Sequence, residues 1–116
     1  MRNFRNLHVW SDSIKLVDDI YHLTSLYPAS EKWGISNQMV RCAVSIPSNI
    51  AEGCGRQSNK EFSRFVQIAL GSAFELETQL IISKNRGFLK STEYELILSD
   101  LHSVQKRLNA LINSLK

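Results

Sequence analysis

The chain is predicted to be all-α, an antiparallel up-down-up-down four-helix bundle, and three observations carry the prediction. Apolar residues recur with the 3.6-residue helical period along almost every long segment. Glycine and proline are scarce, 5 and 2 in 116 residues, so little interrupts those segments except at their ends. The interruptions leave connections of a few residues, and short connections make consecutive helices neighbours that run in opposite directions. A single domain over residues 1–116 follows, because a chain of this length closes one core and not two.

The first helix is expected from about Val9 to Leu26, with Trp10, Ile14, Val17, Tyr21 and Thr24 along one face. Tyr27-Pro28 stops it, since proline disfavours a helical residue before it. Trp33-Gly34-Ile35 leads into a second helix with Ser36 as N-cap. Gly53-Cys54-Gly55 closes that helix, glycine being suited to a left-handed C-cap. Ser58 and Glu61 are spaced as a capping box for a third helix, which runs to about Asn85, some 40 Å at 1.5 Å per residue, before Gly87 ends it. Thr92 and Glu95 repeat the box ahead of a fourth helix. Its Ile97, Leu101, Val104, Leu108, Leu111 and Leu115 alternate spacings of four and three, a bundle seam.

Pro47 falls inside the second helix, where it removes one hydrogen bond and presses on the carbonyl of Ala43. A continuous but bent helix is expected, with Ser45 and Ser48 placed to satisfy the freed backbone groups.

The same helix carries two adjacent stripes. With Arg41 at zero and 100° per residue, Arg41, Ser45, Ser48, Glu52, Gln38 and Asn49 fall within an arc of about 100°. Met39, Cys42, Ala43, Ile46 and Ile50 share the neighbouring arc. Short hydroxyl and amide groups alternating with one arginine and one glutamate suggest buried, paired chemistry rather than a face turned to water. Glu75, next to the small pair Gly71-Ser72 on the third helix, is the expected partner of Arg41 in a charge-assisted pair across a close crossing. Arg41, Ser45, Asn49, Glu52 and Glu75 are thus the candidate structural polar network, fixing helix register or a subunit contact, with ligand binding as the alternative.

The run Arg41-Cys42-Ala43-Val44-Ser45-Ile46-Pro47-Ser48-Asn49-Ile50-Ala51-Glu52-Gly53, followed by Arg56 and by Ile68 through Leu80, closely resembles the four-helix-bundle proteins encoded in intervening sequences of bacterial 23S ribosomal RNA genes. The resemblance extends from Phe4 to Leu115 and includes Leu7-His8-Val9-Trp10, Tyr27-Pro28 and the Leu108–Leu115 ending. Leu70 departs from the family, which often has arginine just before the Gly-Ser pair. The resemblance implies a ring-shaped homopentamer and a connection to nucleic acid. Related bundle proteins also serve as accessory subunits beside retroelement reverse transcriptases, which implies a protein partner as the alternative.

Composition sets outer limits. Hydrophobic residues at 43% with 22% charged are ordinary for a folded globular chain. The apolar runs are shorter than the ~20 residues of a membrane span, and Arg2 and Arg5 lead into a polar, aromatic stretch rather than the apolar core of a secretory signal. A cytoplasmic location with no membrane partner is expected. Cys42 lies on the apolar stripe and Cys54 reads as a loop residue; their spacing suits neither a metal nor a redox pair. The three histidines are scattered, no nucleophile or metal-ligand cluster accompanies Glu52 and Glu75, and no phosphate-binding glycine loop occurs. No catalytic residue, metal or cofactor is expected, and the chain reads as non-enzymatic.

A formal charge of +3 leans basic. Arg56, Lys60 and Arg64 surround the start of the third helix, where free backbone donors add positive potential. Lys84 and Arg86 lie at its other end, with Lys90 beyond and with Lys106 and Arg107 on the fourth helix. Arg56, Lys60, Arg64, Lys84 and Arg86 are the candidate nucleic-acid contacts. With no stacking platform evident in the sequence, recognition of structured RNA by shape and charge is expected. Val40, Val44, Phe74 and Ile82 are candidates for contacts between subunits.

Overall fold

The computed structural model describes residues 2–116, and the elements among them are all helical. Four helices, α1 (His8–Ser25), α2 (Ile35–Cys54), α3 (Asn59–Asn85) and α4 (Ser91–Ser114), follow a short 3-10 turn at Phe4–Asn6, and a second such turn, Ala29–Glu31, lies between α1 and α2. They form an elongated bundle of 44 × 24 × 20 Å. Helices α1 and α3 each pack against both α2 and α4, and the α2–α3 seam is the most extensive.

The apolar stripe of α2 is buried throughout: Met39, Cys42, Ala43, Ile46 and Ile50 all face the interior. On α4, Ile97, Leu101, Val104 and Leu108 are buried and Leu111 and Leu115 pack half-buried against them. Phe62, Val66, Leu76 and Leu80 complete the core from α3, each large apolar side chain contributing about 1.5–3 kcal/mol by leaving water.

The expected face of α1 is displaced by one residue. Val9, Ser13, Leu16, Ile20 and Leu23 turn inward, whereas Ile14 and Tyr21 are exposed and Trp10 and Val17 half-buried. Both sets have helical spacing and lie about 100° apart. An arc this broadly apolar leaves the choice to the neighbouring helices, and the α2 and α4 surfaces take Leu16, Ile20 and Leu23.

Several helix ends also differ from expectation. Gly34, not Ser36, is the N-cap of α2, and Ser36 lies within the helix with its hydroxyl buried and unpartnered. Cys54 is the last residue of α2 and is buried, not a loop residue. Gly55 caps α2 in the right-handed region at φ −80°. The left-handed glycine is Gly87, φ +78°, where Phe88 N–H reaches Ser83 O and Gly87 N–H reaches Lys84 O, both at 3.0 Å, the two bonds that close a Schellman turn. Ser58 caps α3 by accepting from Glu61 N–H at 3.1 Å. Helix α4 begins at Ser91 rather than after Thr92, because the carboxylate that folds back is that of Glu93, accepting from Lys90 N–H at 3.0 Å.

Helix α2 runs through Pro47 without a break. Ser45 does not serve the proline. Its hydroxyl meets Ser72 of α3 at 2.9 Å and accepts from the Asn49 amide at 3.0 Å, while Ser48 is exposed.

Helix α3 is long and apolar enough, by length and composition, to cross a membrane: its most apolar 18 residues have a mean hydropathy of 1.2, and a third of them are buried. Its apolar runs are short, broken by one to three polar or small residues at a time, and hide this when read one by one.

Candidate nucleic-acid interface

Burial of the apolar arc of α2 leaves the polar arc at the rim of the bundle. Arg41, Glu52, Gln38 and Ser48 are exposed, and Ser45 and Asn49 are half-buried. The expected buried pair of Arg41 with Glu75 does not form within the chain. Arg41 has no ion-pair partner among the described residues, and Glu75, itself exposed, accepts instead from the Cys42 thiol at 2.8 Å. A carboxylate at the mouth of the seam is within reach of the thiol beneath it, while the arginine, 100° further round the helix, extends into water. Glu52 pairs with Arg56 at 3.3 Å, one turn along. Of the proposed network, Ser45 and Asn49 are joined to each other, and Ser45 to Ser72 on α3.

Burial pushes the Cys42 thiol up to about 11, and the hydrogen bond to Glu75 and its charge push the same way. Cys54 is also raised by burial, with Arg2 opposing. Both thiols therefore stay protonated near neutrality, and neither has the depressed value of an activated nucleophile.

Close approach of α2 and α3 depends on Gly53, not on the expected Gly71. A Cβ at Gly53 would lie 2.8 Å from Phe65 Cβ and 2.9 Å from Phe62 Cδ1, whereas one at Gly71 would meet nothing within 4 Å. Gly71 is exposed on the outward face of α3, beside Ile68, Phe74 and Ile82.

The basic residues divide between the two ends of α3. At its start, Arg56, Lys60 and Arg64 are all exposed. Arg56 is held by Glu52 and stacks over Phe65 at 4.8 Å, while Lys60 and Arg64 have no acidic partner among the described residues. Arg2 joins this group without having been singled out in the sequence. Its guanidinium lies 4.4 Å over the Phe62 ring, donates to the Arg56 carbonyl at 3.2 Å and meets the Asn59 side chain. Arg2, Gly55, Arg56 and Gln57 line an open cleft of about 640 Å³ beside the α3 N-terminus. At the far end of α3, Lys84 sits 4.3 Å over the Tyr94 ring and Arg86 is exposed with no acidic partner among the described residues. The five candidates thus form two groups separated by the length of α3, not one patch.

On α4, Arg107 is bound to Asp12 at 3.3 Å, and His102 meets Glu77 at 3.2 Å while Gln105 donates to the same carboxylate at 2.8 Å. Arg107 and Glu77 are thus engaged within the bundle, while Lys106 beside them is exposed and has no acidic partner among the described residues.

A family model described as 23S rRNA-intervening sequence protein matches residues 5–110. The chain is similar to a crystal structure from Bacteroides thetaiotaomicron VPI-5482, described as a protein of unknown function from the S23 ribosomal protein family: 28% identity over 90% of this chain and 97% of that one, with a TM-score of 0.83. No curated protein sequence matches at a significant level.

Proposed function

Because the chain belongs to the 23S rRNA-intervening sequence protein family, we propose that it is a non-enzymatic, cytoplasmic protein whose up-down-up-down bundles assemble into a pentameric ring that binds structured RNA through basic surface patches. The observation that carries the proposal is that, among the described residues, four of the five candidate contacts are exposed cations without an acidic partner, Lys60 and Arg64 at one end of α3 and Lys84 and Arg86 at the other. The alternating direction of the helices is supported by the order of pairs along their seams. Met39 meets Ser83, Cys42 meets Glu75 and Ser45 meets Ser72, so contacts that climb α2 descend α3.

The ring is supported by apolar surface that the single chain does not use. Ile68, Phe74, Ile81 and Ile82 on α3 and Val44 on α2 are exposed, while Val40 is half-buried. A neighbouring copy packed on the α3 side chains removes them from water. The carboxylates Glu75 and Glu77, with Glu77 bonded to His102 and Gln105, argue for that cover rather than lipid. The count of five comes from the family resemblance. Each copy adds a formal +3, and affinity for a polyanion grows with the number of phosphates neutralised together.

Salt titration tests the RNA proposal. Binding of a structured RNA is expected to be strongest at low salt and to fall linearly on a logarithmic scale, and a Lys60→Gln/Arg64→Gln variant is expected to lower that slope by roughly 1–2. No affinity at low salt, or a response flat in salt, overturns it. Native mass measurement checks for five copies.

The Arg56–Glu52 pair favours a second proposal, in which the ring presents the remaining surface to a protein, as an accessory subunit of a nucleic-acid enzyme such as a reverse transcriptase. Neutralised cations serve a protein surface better than a phosphate backbone.

A further inference from the structure

An open cleft of about 580 Å³ lies where α1 passes into α2, walled by Tyr21, Tyr27, Trp33 and Val40 with Lys32 and Ser36 among its lining residues. Two features set it apart from the other surface hollows. Its lining holds two large exposed aromatic side chains, Trp33 at 82% and Tyr21 at 55%, with the Lys32 ammonium 5.3 Å from the centre of the Trp33 ring. Within it, the Ser36 hydroxyl is buried and has no hydrogen-bond partner, on a residue more than nine-tenths buried. The Tyr27 hydroxyl is likewise unpartnered. Burial raises its pKa, and Ser83 lies close enough to temper the rise without meeting hydrogen-bond geometry.

We propose that this cleft is a base-stacking subsite that takes one unpaired nucleobase of RNA on the face of Trp33, with Lys32 beside the nucleotide's phosphate and Asn37 among the residues that line it. It rests on the RNA-binding proposal and adds a class of contact to it. A flat aromatic surface with an adjacent cation matches what single-stranded nucleic acid uses: a π-face for the base and a charge for the backbone. The location agrees as well. Tyr27 packs on Phe88 at 5.4 Å between ring centres, so the cleft shares an end of the bundle with the turn that carries Arg86 and Lys90. Phosphates flanking a stacked base meet positive charge there. Unpaired loop bases are the parts of a structured RNA able to swing out onto such a platform.

The test uses the full-length chain at low salt with a single-stranded oligouridine of about a dozen nucleotides and a blunt RNA duplex of the same length, a span near the site size of known single-strand binders. Intrinsic tryptophan fluorescence and oligonucleotide anisotropy are read together. The single strand is expected to quench fluorescence in the parent chain and not in Trp33→Ala, whose Trp10 supplies the baseline. Trp33→Ala is expected to bind the single strand about tenfold more weakly, with most of the loss restored in Trp33→Phe, while duplex affinity is the same in all three. Equal single-strand affinity in Trp33→Ala, equal losses for both RNAs, or a changed native mass in Trp33→Ala, which would make the cleft a contact between copies, each overturns the subsite. If the duplex binds and Trp33 has no effect, the subsite alone fails. If neither RNA binds the parent chain, the RNA-binding proposal fails with it.

Discussion

The α2–α3 seam and the α1–α4 seam join helices in the same bundle by different means. Between α2 and α3 each polar contact has a small residue on at least one side, and the contacts are mostly neutral: Ser45 on Ser72, the Cys42 thiol on Glu75, the Ser83 hydroxyl on Met39 Sδ at 3.4 Å, with Gly53 lying flush against Phe62 and Phe65. Between α1 and α4 the rim is ionic, with Lys15 near Asp100 at 3.7 Å and Arg107 on Asp12 at 3.3 Å. An open hollow of about 300 Å³ lies along it between Lys15, Leu23, Leu96 and Asp100. Short side chains let backbones approach, and contact then depends on shape. Long charged side chains bridge a wider gap, and in water each exposed pair contributes only about 0–1 kcal/mol. Register should therefore be set at α2–α3, with α1–α4 tolerant of substitution.

The largest expected effect is at Gly53. Gly53→Val forces side-chain atoms into a space where even a Cβ comes within 3 Å of two phenylalanines, and a loss of about 3 kcal/mol is expected from overpacking, measured by urea denaturation. Gly71→Ala, on the open outward face, should instead gain up to about 1 kcal/mol from helix propensity. A loss there together with a fall in native mass would put a neighbouring copy against Gly71.

A smaller effect follows from Cys42. Its folded-state pKa lies above the ordinary thiol value, so below the ordinary value the thiol is protonated whether folded or not and its contribution is complete. As pH climbs from about 9 towards 11 the unfolded chain gives up the proton while the folded one keeps it, and stability declines. The denaturation midpoint should fall over that window, and Cys42→Ser, which does not titrate there, should shallow the fall. Cys54 and Tyr27 are raised by burial as well, so part of the decline is expected to persist. An identical pH profile in the Cys42→Ser chain would contradict the assignment.

The smallest effect is at the ionic seam. Asp100→Asn should cost less than about 1 kcal/mol, and the difference should shrink further as salt screens it. A cost comparable to Gly53→Val would erase the contrast between the seams.

The stripes of α2 and α4 were legible because each has one apolar arc bounded by polar residues, so period alone points it inward. Helix α1 was not: its residues 9–23 and 10–24 form adjacent apolar lines, and periodicity cannot say which one meets α2 and α4. The basic candidates were found by charge, but charge gives no position across the bundle. That Arg56 is held by Glu52 follows from their local spacing of four, whereas the return of Arg2 to lie on Phe62 is a consequence of chain path. Trp33 and Tyr21 carried no signal as a platform because residues twelve apart in sequence share a cleft only through the turn between them.

Arg41 shows most sharply where the two kinds of information part. Sequence fixes its angle on α2, its place beside Ser45 and Glu52, and the helix that carries all three, because period and composition act locally. Whether it finds Glu75 depends on which neighbouring atom comes nearest that carboxylate. Tertiary packing put the Cys42 thiol there, since burying the apolar stripe of α2 against α3 brings the thiol under Glu75 and rotates the guanidinium outward to solvent.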